Sequence, residues 1–217
     1  MKTHLDIDTL IQEAAGFAEA ESLHHETTLF GVTDGKAVGT YLEHKFKLHL
    51  NACYTYAPGN SASGIDFPEL GVDIKVTSIN QPQSSCPFKA ARQKIYGLGY
   101  HLLIFVYEKS DDAALQAAHL NIKHTIFVHK DRTADHQMTR GILEIIARNG
   151  NIDDLVGFFQ DRMLPVDEIM AHTIAEEVLQ NPPLQGYLTI SNALQWRLQY
   201  SRVIQKAGEV DGLYRVR

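Results

Sequence analysis

Residues 65–79 read Ile-Asp-Phe-Pro-Glu-Leu-Gly-Val-Asp-Ile-Lys-Val-Thr-Ser-Ile. Two short apolar runs surround Pro68 and Gly71, residues that punctuate a chain with turns. Beyond Gly71 the apolar Val72, Ile74 and Val76 alternate with Asp73, Lys75 and Thr77, the period-two pattern of a strand with one buried face. The stretch therefore predicts a tight hairpin or strand pair. Asp73 and Lys75 share its polar face, and the turn brings Asp66 across from them.

Working outward, residues 36–50 repeat Val38, Leu42, Phe46 and Leu50 every four positions, which predicts an amphipathic helix with Glu43 beside its apolar stripe. Leu10, Ile11, Ala14, Phe17 and Ala18 predict another helix within residues 5–22. Ala52 to Tyr56 reads as a short strand and residues 58–64 as its turn. On the other side, a polar loop at 81–88 leads to a helix from about Lys89 to Leu98. The runs at 101–107 and 124–130 are short enough to be buried strands. From Asp135 the period is helical, with breaks near Asn149-Gly150, Pro165 and Pro182-Pro183. Residues 188–217 read as helix, helix and a hairpin turning at Asp211-Gly212. The expectation is an α/β core with a central mixed sheet flanked by helices over residues 1–134. A mainly helical region, 135–217, follows it, with a winged-helix-like order at 185–217.

Two carboxylates a few Å apart repel, so Asp66 and Asp73 are stable together chiefly around a divalent cation. An adjacent ammonium would orient a water for attack on a phosphodiester. Residues 64–75, GIDFPELGVDIK, resemble the motif of the PD-(D/E)xK nucleases, with Asp66 as first acid and Asp73-Ile74-Lys75 as the second half. The surroundings are similar to the branch that holds the mismatch-repair endonuclease MutH and related type II restriction enzymes. There an acid-bearing, glycine-containing helix precedes the motif, as GKAVGTYLE does here with Glu43, and the turn ends in Leu-Gly. The likeness spans roughly residues 35–107. It implies a restriction-endonuclease-like core and Mg²⁺ held by Asp66, Asp73 and the Ile74 backbone carbonyl. It also implies Lys75 on the nucleophilic water and Glu43 on the metal or a metal-bound water. Glu69 is the other acid near enough in sequence to compete with Asp66.

The function implied is Mg²⁺-dependent, sequence-specific cleavage of double-stranded DNA by a type II restriction endonuclease, acting as a homodimer on a symmetric site. A strand-nicking repair enzyme and a non-catalytic DNA-binding protein are the competing readings. Gln81, Gln83, Ser84 and Ser85 carry groups that bond base edges or phosphates, and Gln93 and Lys94, with Lys89, are candidates for backbone contact. Arg197 and Arg202 would sit on a DNA-reading helix, with Trp196 either beside them or in the core.

The net charge of −6 argues against binding nucleic acid by bulk electrostatics. Residues 75–109, however, carry five basic side chains against one acidic, and 185–217 carry five against two. The 11 histidines lack metal-site spacing, and no phosphate-binding glycine loop is present. Cys53 and Cys86 are too few for a disulfide framework and read as buried thiols. The longest apolar run, Leu102 to Tyr107, is far too short to span a bilayer, and the N-terminus lacks a signal-peptide pattern. The expected location is the cytoplasm, with no membrane partner.

Overall fold

The computed structural model describes residues 2–57, 59, 64–87, 89–191 and 196–217. In chain order it forms β1 (Thr3–His4), α1 (Ile7–Glu21), β2 (His25–Glu26), α2 (Gly35–Cys53), β3 (Tyr54–Thr55), β4 (Val72–Ser78) and β5 (Gln83–Cys86). Next come α3 (Gln93–Tyr96), β6 (His101–Asp112), β7 (Ala117–Val128), α4 (His136–Ala147), α5 (Ile152–Asp161) and α6 (Glu168–Gln180). The chain closes with β8 (Thr189–Ile190), β9 (Trp196–Gln199), α7 (Ser201–Lys206) and β10 (Leu213–Arg215). The expected turn at residues 58–64 lies largely outside the described residues, as do Phe88 and Leu194.

The central sheet is mixed, in the order β10-β7-β6-β4, with β2 also paired to β7. β4 runs parallel to β6, Asp73 facing Leu102 and Lys75 facing Ile104, while β6 and β7 are antiparallel. Strand β6 is buried on both faces, which explains its unbroken apolar run. Leu103, Phe105 and Tyr107 pack with α1 and α2 in one core. Leu102, Ile104 and Val106 pack on the opposite face with Trp196, Leu198, Tyr200 and Val203. Helices α4, α5 and α6 bury a third cluster around Ile142, Leu155, Phe159 and Ile174, with Ile95. Among the described residues, no helix is long and apolar enough to cross a membrane.

Helix α2, which positions the candidate site, starts where Asp34 accepts from the Lys36 and Ala37 amides at 3.1 and 3.2 Å. That satisfies two of the otherwise orphaned N–H groups of its first turn. Val38, Leu42, Phe46 and Leu50 are buried as the four-residue spacing predicts. The helix continues through Cys53, so only Tyr54–Thr55 of the expected 52–56 strand forms, and Cys53 is exposed while Cys86 is buried.

Two expectations are corrected. The helix expected at 89–98 is confined to Gln93–Tyr96, and Gly97, at φ +91°, sets its C-terminal end. Among the described residues, the helix–helix–hairpin order expected for 188–217 is replaced by strands β8 and β9, helix α7 and strand β10. Trp196, Leu198 and Tyr200 are buried in alternation with exposed Arg197 and Gln199. β9 pairs with β5 in a second, three-stranded sheet, and β10 pairs with β7 of the central one. Trp196, 1% exposed, belongs to the core rather than to a DNA-reading helix.

Candidate active site

The turn that opens β4 builds the site. Phe67 and Val72 form an antiparallel bridge, exchanging backbone bonds of 2.9 and 3.1 Å. Gly71, at φ +61°, supplies the left-handed residue that closes so short a loop. Asp66 is thereby folded onto the edge of β4, where its Oδ2 accepts the Ile74 amide at 2.7 Å. Glu69, the competing acid, is turned to the Ala57 amide at 3.2 Å.

Val72 and Ile74 point into the core under α2, so Asp73 and Lys75 point to the other side of β4. The Lys75 Nζ lies 2.7 Å from the Asp73 Oδ2, as their shared face predicts. Burial pushes the Asp73 carboxyl up to about 6, the neighbouring Asp66 adding to the rise and Lys75 opposing it. Asp66 goes the other way. Burial would raise it, but hydrogen bonds from Asp73, Lys47 and the Ile74 amide outweigh that and hold it below the usual carboxylate range. The two neighbouring carboxyls are thus pushed in opposite directions, Asp73 up and Asp66 down.

Lys47 lies outside the hairpin motif, and nothing in that motif points to it. Its Nζ lies 2.6 Å from Asp66 Oδ1 and 2.6 Å from Glu43 Oε1. It joins the acid of α2 to the acid before β4. Burial lowers the Lys47 pKa, but bonds to Asp66 and Glu43 more than reverse this, so the ammonium is retained. The detectable clue was the i,i+4 spacing of Glu43 and Lys47, which puts both on one helix face.

Among the described residues, no three His, Cys, Asp or Glu side chains are grouped to hold a metal. Two adjacent carboxyls fall short of a zinc cage, which takes three or four His, Cys or acidic ligands. They do suit Mg²⁺, which commonly takes one or two carboxylates and completes its shell with water and substrate phosphate.

A cleft of about 850 Å³ opens beside this centre, lined by Glu43, Lys75, Gln83, Ser84, Ser85 and Arg197 among others. A neighbouring cleft of about 650 Å³ extends it past Gln81, with Gln83 and Arg197 common to both. Four of the expected DNA contacts follow from β5 and its approach, and the fifth, Arg197, comes from the strand paired with it. Thr77 fixes this wall, accepting the Gln83 amide at 2.9 Å. The Ser84 hydroxyl is hydrogen-bonded to Tyr200.

The structure does not bring the remaining candidates to this cleft. Lys89 is exposed on the loop before α3. Gln93 donates to the Leu98 carbonyl at 3.1 Å. Lys94 is 3% exposed, with its ammonium 6.0 Å from the Trp196 ring centre, and cannot reach a duplex from there. Arg202 lines a separate pocket.

A family model described as type II restriction enzyme NspV matches residues 4–215. The type II restriction enzyme NspV of Nostoc sp. (strain ATCC 29411 / PCC 7524) is 65% identical over 214 residues, spanning 99% of this chain and 97% of that protein. No solved structure matches the chain.

Proposed function

The chain belongs to the family of the type II restriction enzyme NspV, and we propose that it cleaves double-stranded DNA at a specific sequence, with Asp66, Asp73 and Lys75 as the hydrolytic centre. The observation that carries the assignment of the centre is the Asp66–Asp73 pair, with Asp66 held by the Ile74 amide and Asp73 flanked by Lys75, a residue that lines an open cleft. This arrangement of two acids and a lysine supports a PD-(D/E)xK centre, of the MutH-like branch by its acid-bearing helix.

Asp66, Asp73 and the Ile74 carbonyl are the residues that would hold Mg²⁺, with Glu43 facing the same space. When bound, the cation supplies charge neutralisation at the scissile phosphate and its leaving oxygen. Lys75, beside Asp73, orients a water for in-line attack. Lys47 fixes the ionised Asp66 against α2. Gln81, Gln83, Ser84, Ser85 and Arg197 form the surface on which a duplex is read, since Arg and Gln supply paired bonds to guanine and adenine edges. Cutting both strands of a symmetric site calls for two such centres, and a homodimer in the cytoplasm provides them.

A supercoiled-plasmid digest with Mg²⁺ tests the reading. Linear fragments with fixed ends are expected. Open circles alone would point to a nickase, and metal-independent specific binding without cleavage to a regulator.

A further inference from the structure

Arg202 opens onto a second concavity, formed by α4, α5 and α7. This pocket of about 370 Å³ is lined by Arg140, Arg162, Arg202, His136, Gln137 and Glu144 among others. Among the described lining residues, three guanidiniums thus face one carboxylate. That carboxylate is engaged at the rim, where Glu144 accepts from the Arg140 Nε at 2.7 Å. The Asp135 carboxylate at the head of α4 is turned away to the Met138 and Ile190 amides, at 2.8 and 2.7 Å. The Arg202 Nε is buried, and no hydrogen-bond partner reaches it among the described residues. A donor left in that state costs free energy that an incoming acceptor removes.

The rest of the lining also favours an anion. Arg162 donates to Gln137 at 3.3 Å and lies over the Phe158 ring at 5.5 Å. Burial lowers the pKa of His136, which shares this lining; the Gly186 carbonyl opposes the shift and Arg202 and Arg140 add to it. Arginine forks match tetrahedral oxyanions through paired, charge-assisted bonds. In a chain of net charge −6, this cationic pocket stands out.

We propose that the pocket binds a phosphate group through Arg140, Arg162 and Arg202. The group comes either from the backbone of a duplex or from free phosphate, and neither source depends on the assignment of the Asp66–Asp73 centre. Thermal unfolding of the full chain in inorganic phosphate, against chloride at equal ionic strength, reads the free ion. Binding to a random-sequence duplex without divalent cation, across a salt series, reads the backbone. Arg202→Gln and Arg140→Gln are the variants. Arg140 is largely exposed, so its variant keeps the fold should Arg202→Gln fail to fold.

Free phosphate is the source if it raises the wild-type Tm, both variants lose most of that rise, and duplex binding is unchanged. The backbone is the source if each variant weakens duplex binding and lowers the slope of log K against log salt by about one. The proposal is overturned if Tm responds to phosphate equally, or not at all, in all three proteins while the salt slope stays the same.

Discussion

The Nζ of Lys47 lies 2.6 Å from Oδ1 of Asp66. An ammonium from the middle of α2 thus compensates a carboxylate fixed 19 residues away by the turn before β4. Because both side chains are mostly shielded from solvent, the contact is worth more than a surface ion pair. Lys47→Met should lower stability by about 1–3 kcal/mol, less than the cost of breaking a fully buried pair, and Lys47→Arg should restore most of it. Urea unfolding near neutral pH checks this, and an unchanged midpoint for Lys47→Met would show the contact to be idle.

The Asp73 carboxyl, raised to about 6 from an ordinary 3.8, gives a signed pH prediction. Between these values the folded chain holds more protons than the unfolded one, so this group's contribution falls as pH rises from about 4 to about 6 and stays unfavourable above. Asp66, lowered by its neighbours, acts oppositely: its contribution is present above the ordinary value and is lost as pH falls through its own. Asp73→Asn should therefore stabilise the protein at pH 8, by on the order of 2 kcal/mol, with the gain vanishing toward pH 4. Calorimetric scans across this range read it directly, and a variant less stable than wild type at pH 8 would reverse the sign.

Divalent cation should relieve the same repulsion. Mg²⁺ at ten times its Kd is expected to stabilise the wild type by about 1.4 kcal/mol, and Asp66→Asn and Asp73→Asn should each lose the effect. Equal Tm shifts in all three proteins would place the cation elsewhere.

Arg197 and Trp196 are neighbours with opposite predicted behaviour. Arg197 is exposed on β9 at the cleft, so Arg197→Ala should leave stability within about 0.5 kcal/mol and weaken binding to the cognate duplex by about 1–3 kcal/mol. Trp196→Ala should instead cost about 3–5 kcal/mol of folding free energy. Unfolding and fluorescence-anisotropy titrations on both variants separate the two roles, and a destabilised Arg197→Ala would blur them.

Much of the core was legible because its signals are local. The stripe Val38, Leu42, Phe46 and Leu50 declares a helix, the alternation through Val72–Thr77 declares a strand, and Pro68 with Gly71 declares the turn between the acids. The C-terminal segment was misread for a definable reason: Trp196, Leu198 and Tyr200 do alternate, but three positions in a polar stretch say little until β5 is seen pairing with β9. Lys94 looked like a DNA contact by charge, and only the packing of Trp196 against it reveals its burial. Lys47 escaped notice because its partner Asp66 is brought to it by tertiary folding. Arg202 was separated from Arg197 for a similar reason, since the direction of the chain after β9 is set by the sheet.

Asp66, Asp73 and Lys75 are expected to act together in cutting DNA at one sequence. Incubating the purified protein with unmethylated phage DNA and Mg²⁺, then sequencing the fragment ends, tests that directly. The wild type should give a single recurring end sequence, and Asp66→Ala, Asp73→Ala and Lys75→Ala should give intact DNA. Full cleavage by any of these three variants, or random ends from the wild type, would contradict the account.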